Sequence, residues 1–117
     1  MIIKKLEQVP FADSSGFQGV SKRIVIGPED GSDEVVLRYF SVEPGGKSPY
    51  HSHDFPHLVK VESGQGVLTD QSGREHPLKR GDYVFVGANE THSFSNAGEE
   101  QFDFICIVPR RGEAGPP

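Results

Sequence analysis

Turn residues cut the chain into short β-prone runs, and no stretch is periodic or long enough for a sizeable helix. Arg23 to Ile26 ends at Gly27-Pro28, Val35 to Val42 at Pro44-Gly45-Gly46, and His57 to Glu62 at Ser63-Gly64-Gln65-Gly66. Val67 to Thr69 gives way to Asp70-Gln71-Ser72-Gly73, and Asp82 to Val86, His92 to Asn96 and Gln101 to Val108 complete the series. Short runs rich in β-branched and aromatic residues, bounded by Gly, Pro, Asn and Asp, read as strands. With 14 Gly and 9 Pro in 117 residues, the pattern predicts an all-β fold, a sandwich or a closed barrel. Ile2 to Lys5 is a candidate extra strand. Arg110 to Pro117 reads as a loose tail, which leaves a core over about residues 21–109 of a single domain spanning 1–117.

The formal net charge of -5, with scattered positive charges, argues against a nucleic-acid partner. No run of about 18 apolar residues exists, so no membrane span is predicted. Cys106 has no second cysteine to pair with, and Met1 to Phe11 lacks the apolar segment and cleavage site of a signal peptide. A cytoplasmic location is the expectation.

Four of the five histidines fall in two places. His51 and His53 are two residues apart, so on an extended segment both rings leave the same face, roughly 6.6 Å apart along the chain. His57 follows the bend at Asp54-Phe55-Pro56 and shares one side of the next strand with Val59 and Val61. His92 leads its own alternation, with Phe94 and Asn96 on its face and Ser93 and Ser95 on the other. A lone inward histidine is more often a satisfied core residue than a ligand. Three spaced H-x-H-x3-H with an apolar face behind them are harder to read that way, because each buried ring would need a partner and the cluster would repel itself when protonated. Neutral imidazoles held by rigid strands are what a divalent metal needs.

The spacing resembles that of the cupin superfamily. Gly45, five residues, His51-Ser52-His53, three residues, His57, six residues and Gly64 is similar to the first cupin motif; Gly81, His92 and Asn96 stand at the corresponding places of the second. His57 replaces the usual glutamate ligand, Gly87 the motif proline and Asn89 the motif glycine. The chain thus resembles small single-domain cupins with a four-histidine site, such as manganese-binding thermophile examples. Val42-Glu43-Pro44-Gly45-Gly46 and Ile105-Cys106-Ile107-Val108-Pro109 are similar to that subgroup as well. The resemblance implies a cupin-type double-stranded β-helix, a jelly-roll barrel. It also implies one divalent transition metal on His51, His53, His57 and His92, with Mn favoured and Fe, Ni, Cu or Zn also suited to imidazole.

Four neutral ligands leave the ion at full charge, which favours anionic small molecules and the reduced metal. The leading expectation is a metal-dependent oxidoreductase of dioxygenase type acting on a small molecule. A metal-dependent isomerase and a non-catalytic binding or structural cupin are the alternatives; the isomerase reading lacks an evident base. Around the site, Phe94, Phe104 and Cys106 are candidate pocket residues, with plain core burial as their alternative. Arg38 shares a face with Val36, Phe40 and Val42 and is either at a strand end or aimed at an anion. Tyr50 is a candidate proton donor at the barrel mouth, His76 reads as a solvated loop residue, and Asp82 as part of a turn. A homodimer, paired through the N-terminal strand, would protect exposed sheet edges.

Overall fold

The structure is a computed structural model that describes residues 1–12 and 18–117. Its strands, in chain order, are β1 (Val20–Ile26), β2 (Val35–Val42), β3 (His57–Ser63), β4 (Gln65–Thr69), β5 (Glu75–Lys79), β6 (Tyr83–Val86), β7 (Ser93–Ser95) and β8 (Phe102–Pro109). They form two antiparallel sheets ordered β1-β2-β8-β3-β6 and β5-β4-β7. This is the all-β architecture that the turn-punctuated sequence predicts, in the jelly-roll form that the cupin resemblance implies.

The alternation along each strand decides which face is inside. On β2, Val36, Arg38, Phe40 and Val42 are buried; on β8, Phe102, Phe104, Cys106 and Val108 are. β3 buries His57, Val59 and Val61. The two sheets meet through aromatic rings: Phe94 of β7 stacks on Phe104 of β8 at 4.5 Å, and Phe104 packs on Phe40 of β2 at 5.5 Å. Each buried Phe contributes roughly 2–3 kcal/mol of apolar transfer.

Two motif positions show why the turns hold. Gly64 has φ +74, and an added Cβ would come within 2.1 Å of the Gln101 carbonyl, so only glycine fits this β3–β4 turn. Asn89 stands where the family has glycine and adopts φ 67, the left-handed conformation asparagine tolerates better than other side chains.

Three expectations are corrected. Residues 2–5 form no strand: Ile2 and Ile3 are exposed, and the chain goes on into the 3-10 turn Leu6–Gln8. His76 is not in a loop but within β5, an edge strand that accommodates Pro77 because one side of it needs no ladder donor. The segment read as a loose tail turns at Arg110–Gly112 and runs back across the barrel mouth, where Pro117 is buried.

Candidate metal centre

The two histidine segments are laced together by main chain. The Gly45 amide donates to the Asn96 carbonyl at 2.8 Å, the Asn96 amide to Gly46 at 3.0 Å and the Ser48 amide to Phe94 at 2.8 Å. The ladder ends in a bridge between His51 and His92. One step on, the Asn89 amide donates to the His53 carbonyl at 2.6 Å, and His57 opens β3 opposite Val86 of β6. Asn96 anchors the far end, its side-chain amide donating to Val42 at 2.9 Å and Glu100 at 2.7 Å.

The result is a closed round of imidazoles. Ring centroids are 4.3 Å apart for His51–His53, 4.9 Å for His53–His57, 5.0 Å for His57–His92 and 4.9 Å for His92–His51, with His53 and His92 at 6.1 Å across the middle. With nitrogens about 2.1 Å from a common ion, rings in adjacent positions of a six-coordinate site would stand roughly 4.5 Å apart and opposite ones roughly 6.4 Å. The observed spacing fits that frame. In the present arrangement, however, no three His, Cys, Asp or Glu side chains among the described residues stand in ion-holding geometry. The rings are gathered without being closed on one point.

Their nitrogens show which atoms are on offer. Nδ1 of His51 faces the Pro49 carbonyl and Nδ1 of His92 the Glu90 carbonyl at 2.9 Å. A carbonyl there takes an N–H, the usual outer support of a metal-binding histidine; this leaves the Nε2 lone pair of His51 free, while Nε2 of His92 lies 3.2 Å from the Pro117 main-chain oxygen. Nε2 of His51, His53 and His57, and Nδ1 of His57 as well, are buried without a hydrogen-bond partner. Burial lowers the pKa of all three rings, with neighbouring imidazoles adding to it: His57 falls to about 3, His53 to about 4, and His51 moves the same way. His51, His53 and His57 are therefore neutral at pH 7, the form that ligates.

The cupin domain family model matches residues 38–108, more than half of the chain. This chain is a cupin. Among curated proteins it is 30% identical over 66 residues to the oxalate-binding protein of Thermotoga maritima, covering 56% of this chain and 54% of that one. It is 25% identical to auxin-binding protein 1 of Arabidopsis thaliana, covering 93% and 59%. The chain thus spans little more than half the length of these relatives. Among solved structures, the polyketide cyclase RemF from Streptomyces resistomycificus superposes with a TM-score of 0.87 at 27% identity, over 93% of this chain and 79% of that one. A Thermotoga maritima protein described as a predicted oxalate decarboxylase superposes with a TM-score of 0.81 at 22% identity, over 93% and 99%.

Within this cupin, the other sequence-flagged residues separate cleanly. Phe94 and Phe104 are fully buried stacked core rings. Arg38 and Cys106 are fully buried side by side, with Nη2 of Arg38 donating to Sγ of Cys106 at 3.3 Å. Tyr50 is exposed, and its hydroxyl donates to the Asp70 carbonyl at 2.7 Å. Asp82 accepts from the Lys79 amide inside a turn. At Gly87 the departure from proline has a use: its N–H donates to the Glu90 carboxylate, a bond proline could not make.

Two features were not read from the sequence. His76 Nε2 lies 2.8 Å from Oδ2 of Asp70, whose Oδ1 is fixed by the Ser72 and Arg74 amides; the His76 bond leads the causes that hold the Asp70 carboxyl low. This pair sits at a cavity of about 280 Å³ lined by Leu68, Leu78, Val84 and Val86, with His92 in its wall. The second is the returning C-terminal stretch. Its contacts to Arg38 and His92 are made by main-chain oxygens, which no side-chain pattern announces.

Proposed function

We propose that this cupin holds one divalent transition metal on Nε2 of His51, His53, His57 and His92 and is a metal-dependent enzyme for small carbonyl-bearing organic acids. The observation that carries this is that Nε2 of His51, His53 and His57 are buried with no hydrogen-bond partner among the described residues, in a cluster of rings that His92 completes. Groups of this kind are otherwise costly to bury. When bound, the metal supplies Lewis acidity to a substrate oxygen, undiminished by any ligand charge.

The chain's own residues supply the rest. Nδ1–H bonds to Pro49 and Glu90 aim His51 and His92. His76, oriented by Asp70 and lining the same cavity as His92, is placed to take a proton from a carbon beside a carbonyl, with the carboxylate stabilising the imidazolium that forms. This fills the role of the base that the sequence did not reveal. Likeness to a polyketide cyclase and to a protein named for oxalate binding favours oxygen-rich substrates. Proton transfer, as in an isomerase or lyase, is the reaction class this arrangement supports best.

A second reading, an oxygen-using oxidoreductase with manganese as the preferred metal, draws on the neutral ligand set, which stabilises the reduced ion. Exchange of substrate C–H for deuterium without oxygen uptake supports the first reading; oxygen uptake supports the second. Elemental analysis with chelator treatment tests both, and a metal-free chain that melts far lower with no activity in either assay points to a structural ion.

In solution we infer a homodimer. The outer face of the larger sheet carries a row of apolar residues in register, Leu37, Ile107, Leu58 and Phe85, of which Leu58 and Phe85 are strongly exposed. This face suits a second copy better than the N-terminal residues, which form no strand.

A further inference from the structure

The barrel interior holds a buried positive charge that pairs with no carboxylate among the described residues. Arg38 is fully buried; Nη1 donates to the Gly115 carbonyl at 2.6 Å, Nη2 to Cys106 Sγ at 3.3 Å, the guanidinium lies 4.9 Å over the Phe40 ring, and Nε has no partner. Burial pushes the Cys106 thiol up, so that partner is uncharged. A buried guanidinium fork ordinarily takes a carboxylate or phosphate, and neutral partners leave much of its desolvation uncompensated.

The stretch that reaches Arg38 also reaches the histidines. The main-chain oxygen of Pro117 lies 3.2 Å from Nε2 of His92, and the His53 ring bonds to the backbone of Pro116. Close approach depends on bare backbone: a Cβ at Gly112 would come within 2.5 Å of the Phe55 ring, and one at Gly115 within 3.4 Å of His53. His92 has an oxygen at each ring nitrogen, Glu90 at Nδ1 and Pro117 at Nε2. The chain's oxygens thus stand both at the Arg38 guanidinium and at the histidine cluster, and at Arg38 they leave Nε unsatisfied.

We propose that residues 113–117 are a self-ligand occupying the place of a short organic acid. The acid's carboxylate takes the Arg38 fork from Gly115, and its second oxygen takes the place of the Pro117 oxygen at the histidine cluster. Carbonyls two residues apart lie within roughly 7 Å of each other, which limits the ligand to a chain of roughly three to five carbons bearing a carboxylate and a keto, hydroxy or second carboxylate oxygen. Only the contact at the histidines rests on the metal reading above; the Arg38 contact stands without it.

Hydrogen exchange on the full chain, metal-free and metal-loaded, with and without malonate, tests this directly. The Glu113 and Gly115 amides, bonded to Arg110 at 3.1 Å and Gly112 at 3.2 Å, are expected to exchange on the order of tenfold faster with saturating malonate as the segment leaves. Arg38→Met should abolish malonate binding in calorimetry and the exchange response together. If that variant does not fold, Arg38→Lys, which keeps the charge and loses the fork, should weaken malonate binding severalfold. Unchanged or slower exchange with malonate bound, binding indifferent to Arg38, or no malonate binding to either form overturns the proposal. Metal content is measured separately. A chain that binds no metal yet opens for malonate through Arg38 sinks the metal reading alone, and a metal-loaded chain whose segment ignores malonate sinks this one alone.

Discussion

His51 and His92 exchange both main-chain hydrogen bonds, His51 amide to His92 carbonyl at 3.0 Å and His92 amide to His51 carbonyl at 2.9 Å, so two residues 41 positions apart form one rung of a ladder. Their rings leave that rung at a centroid distance of 4.9 Å. The backbone places the imidazoles before any ion does, and this preorganisation is what lets each ligand be tested singly.

Replacing His57 by alanine should lower metal affinity at least about 100-fold, judged from the 10–100-fold that even outer supports of a ligand are worth. His57→Glu, which restores the common cupin pattern, should keep the metal and weaken carboxylate binding, because a ligand charge then opposes the substrate's. Chelator competition and carboxylate titration on the two variants check this.

Lowered pKa values give the cluster a definite pH signature. Unfolded histidine titrates near 6.5, whereas His53 and His57 do so at about 4 and about 3 in the fold. Between these limits the unfolded chain binds more protons, so stability rises with pH. It should be complete above about 6.5 and decline as pH falls toward 4 and 3. The melting temperature of metal-free protein, measured across this range, should drop at the acid end; His53→Gln and His57→Gln should flatten the decline.

His76→Asn should lower kcat by roughly 10²–10⁴-fold, the usual worth of a positioned base, with metal content unchanged. Loss of metal in this variant would mean that His76 acts on the ligand set instead.

Phe94→Ala should cost about 3–5 kcal/mol of stability, since the ring is fully buried and stacked on Phe104. The effect is expected in denaturant unfolding irrespective of substrate, which separates a core ring from a substrate platform.

Leu58→Glu with Phe85→Glu should shift the mass seen by light scattering from dimer to monomer without altering the fold. Both side chains are on the outer face and leave the core untouched.

Most strands were legible because their apolar residues alternate: Val36, Phe40 and Val42 on β2 and Phe102, Phe104, Cys106 and Val108 on β8 share the buried face, with only Ser41 and Asp103 buried out of phase, and the period is visible in the letters. β5 was missed because Glu75-His76-Pro77-Leu78-Lys79 buries only Leu78 and contains a proline, which an edge strand tolerates. That omission also hid the Asp70–His76 pair, since the two meet only when β4 and β5 fold back on each other. Clustering of the four histidines could be read from their spacing and the cupin resemblance. The path of residues 110–117 could not, because its contacts to Arg38 and His92 use backbone oxygens and its approach uses the absence of side chains at Gly112 and Gly115.

The central claim is that four imidazoles share one ion, and nitrogen-detected NMR of the histidine rings during titration of metal-free protein with diamagnetic zinc addresses it atom by atom. The account predicts that a single equivalent shifts Nε2 of His51, His53, His57 and His92 together and leaves His76 where it was. Saturation that moves fewer than three of these four, or that moves only His76, would contradict it.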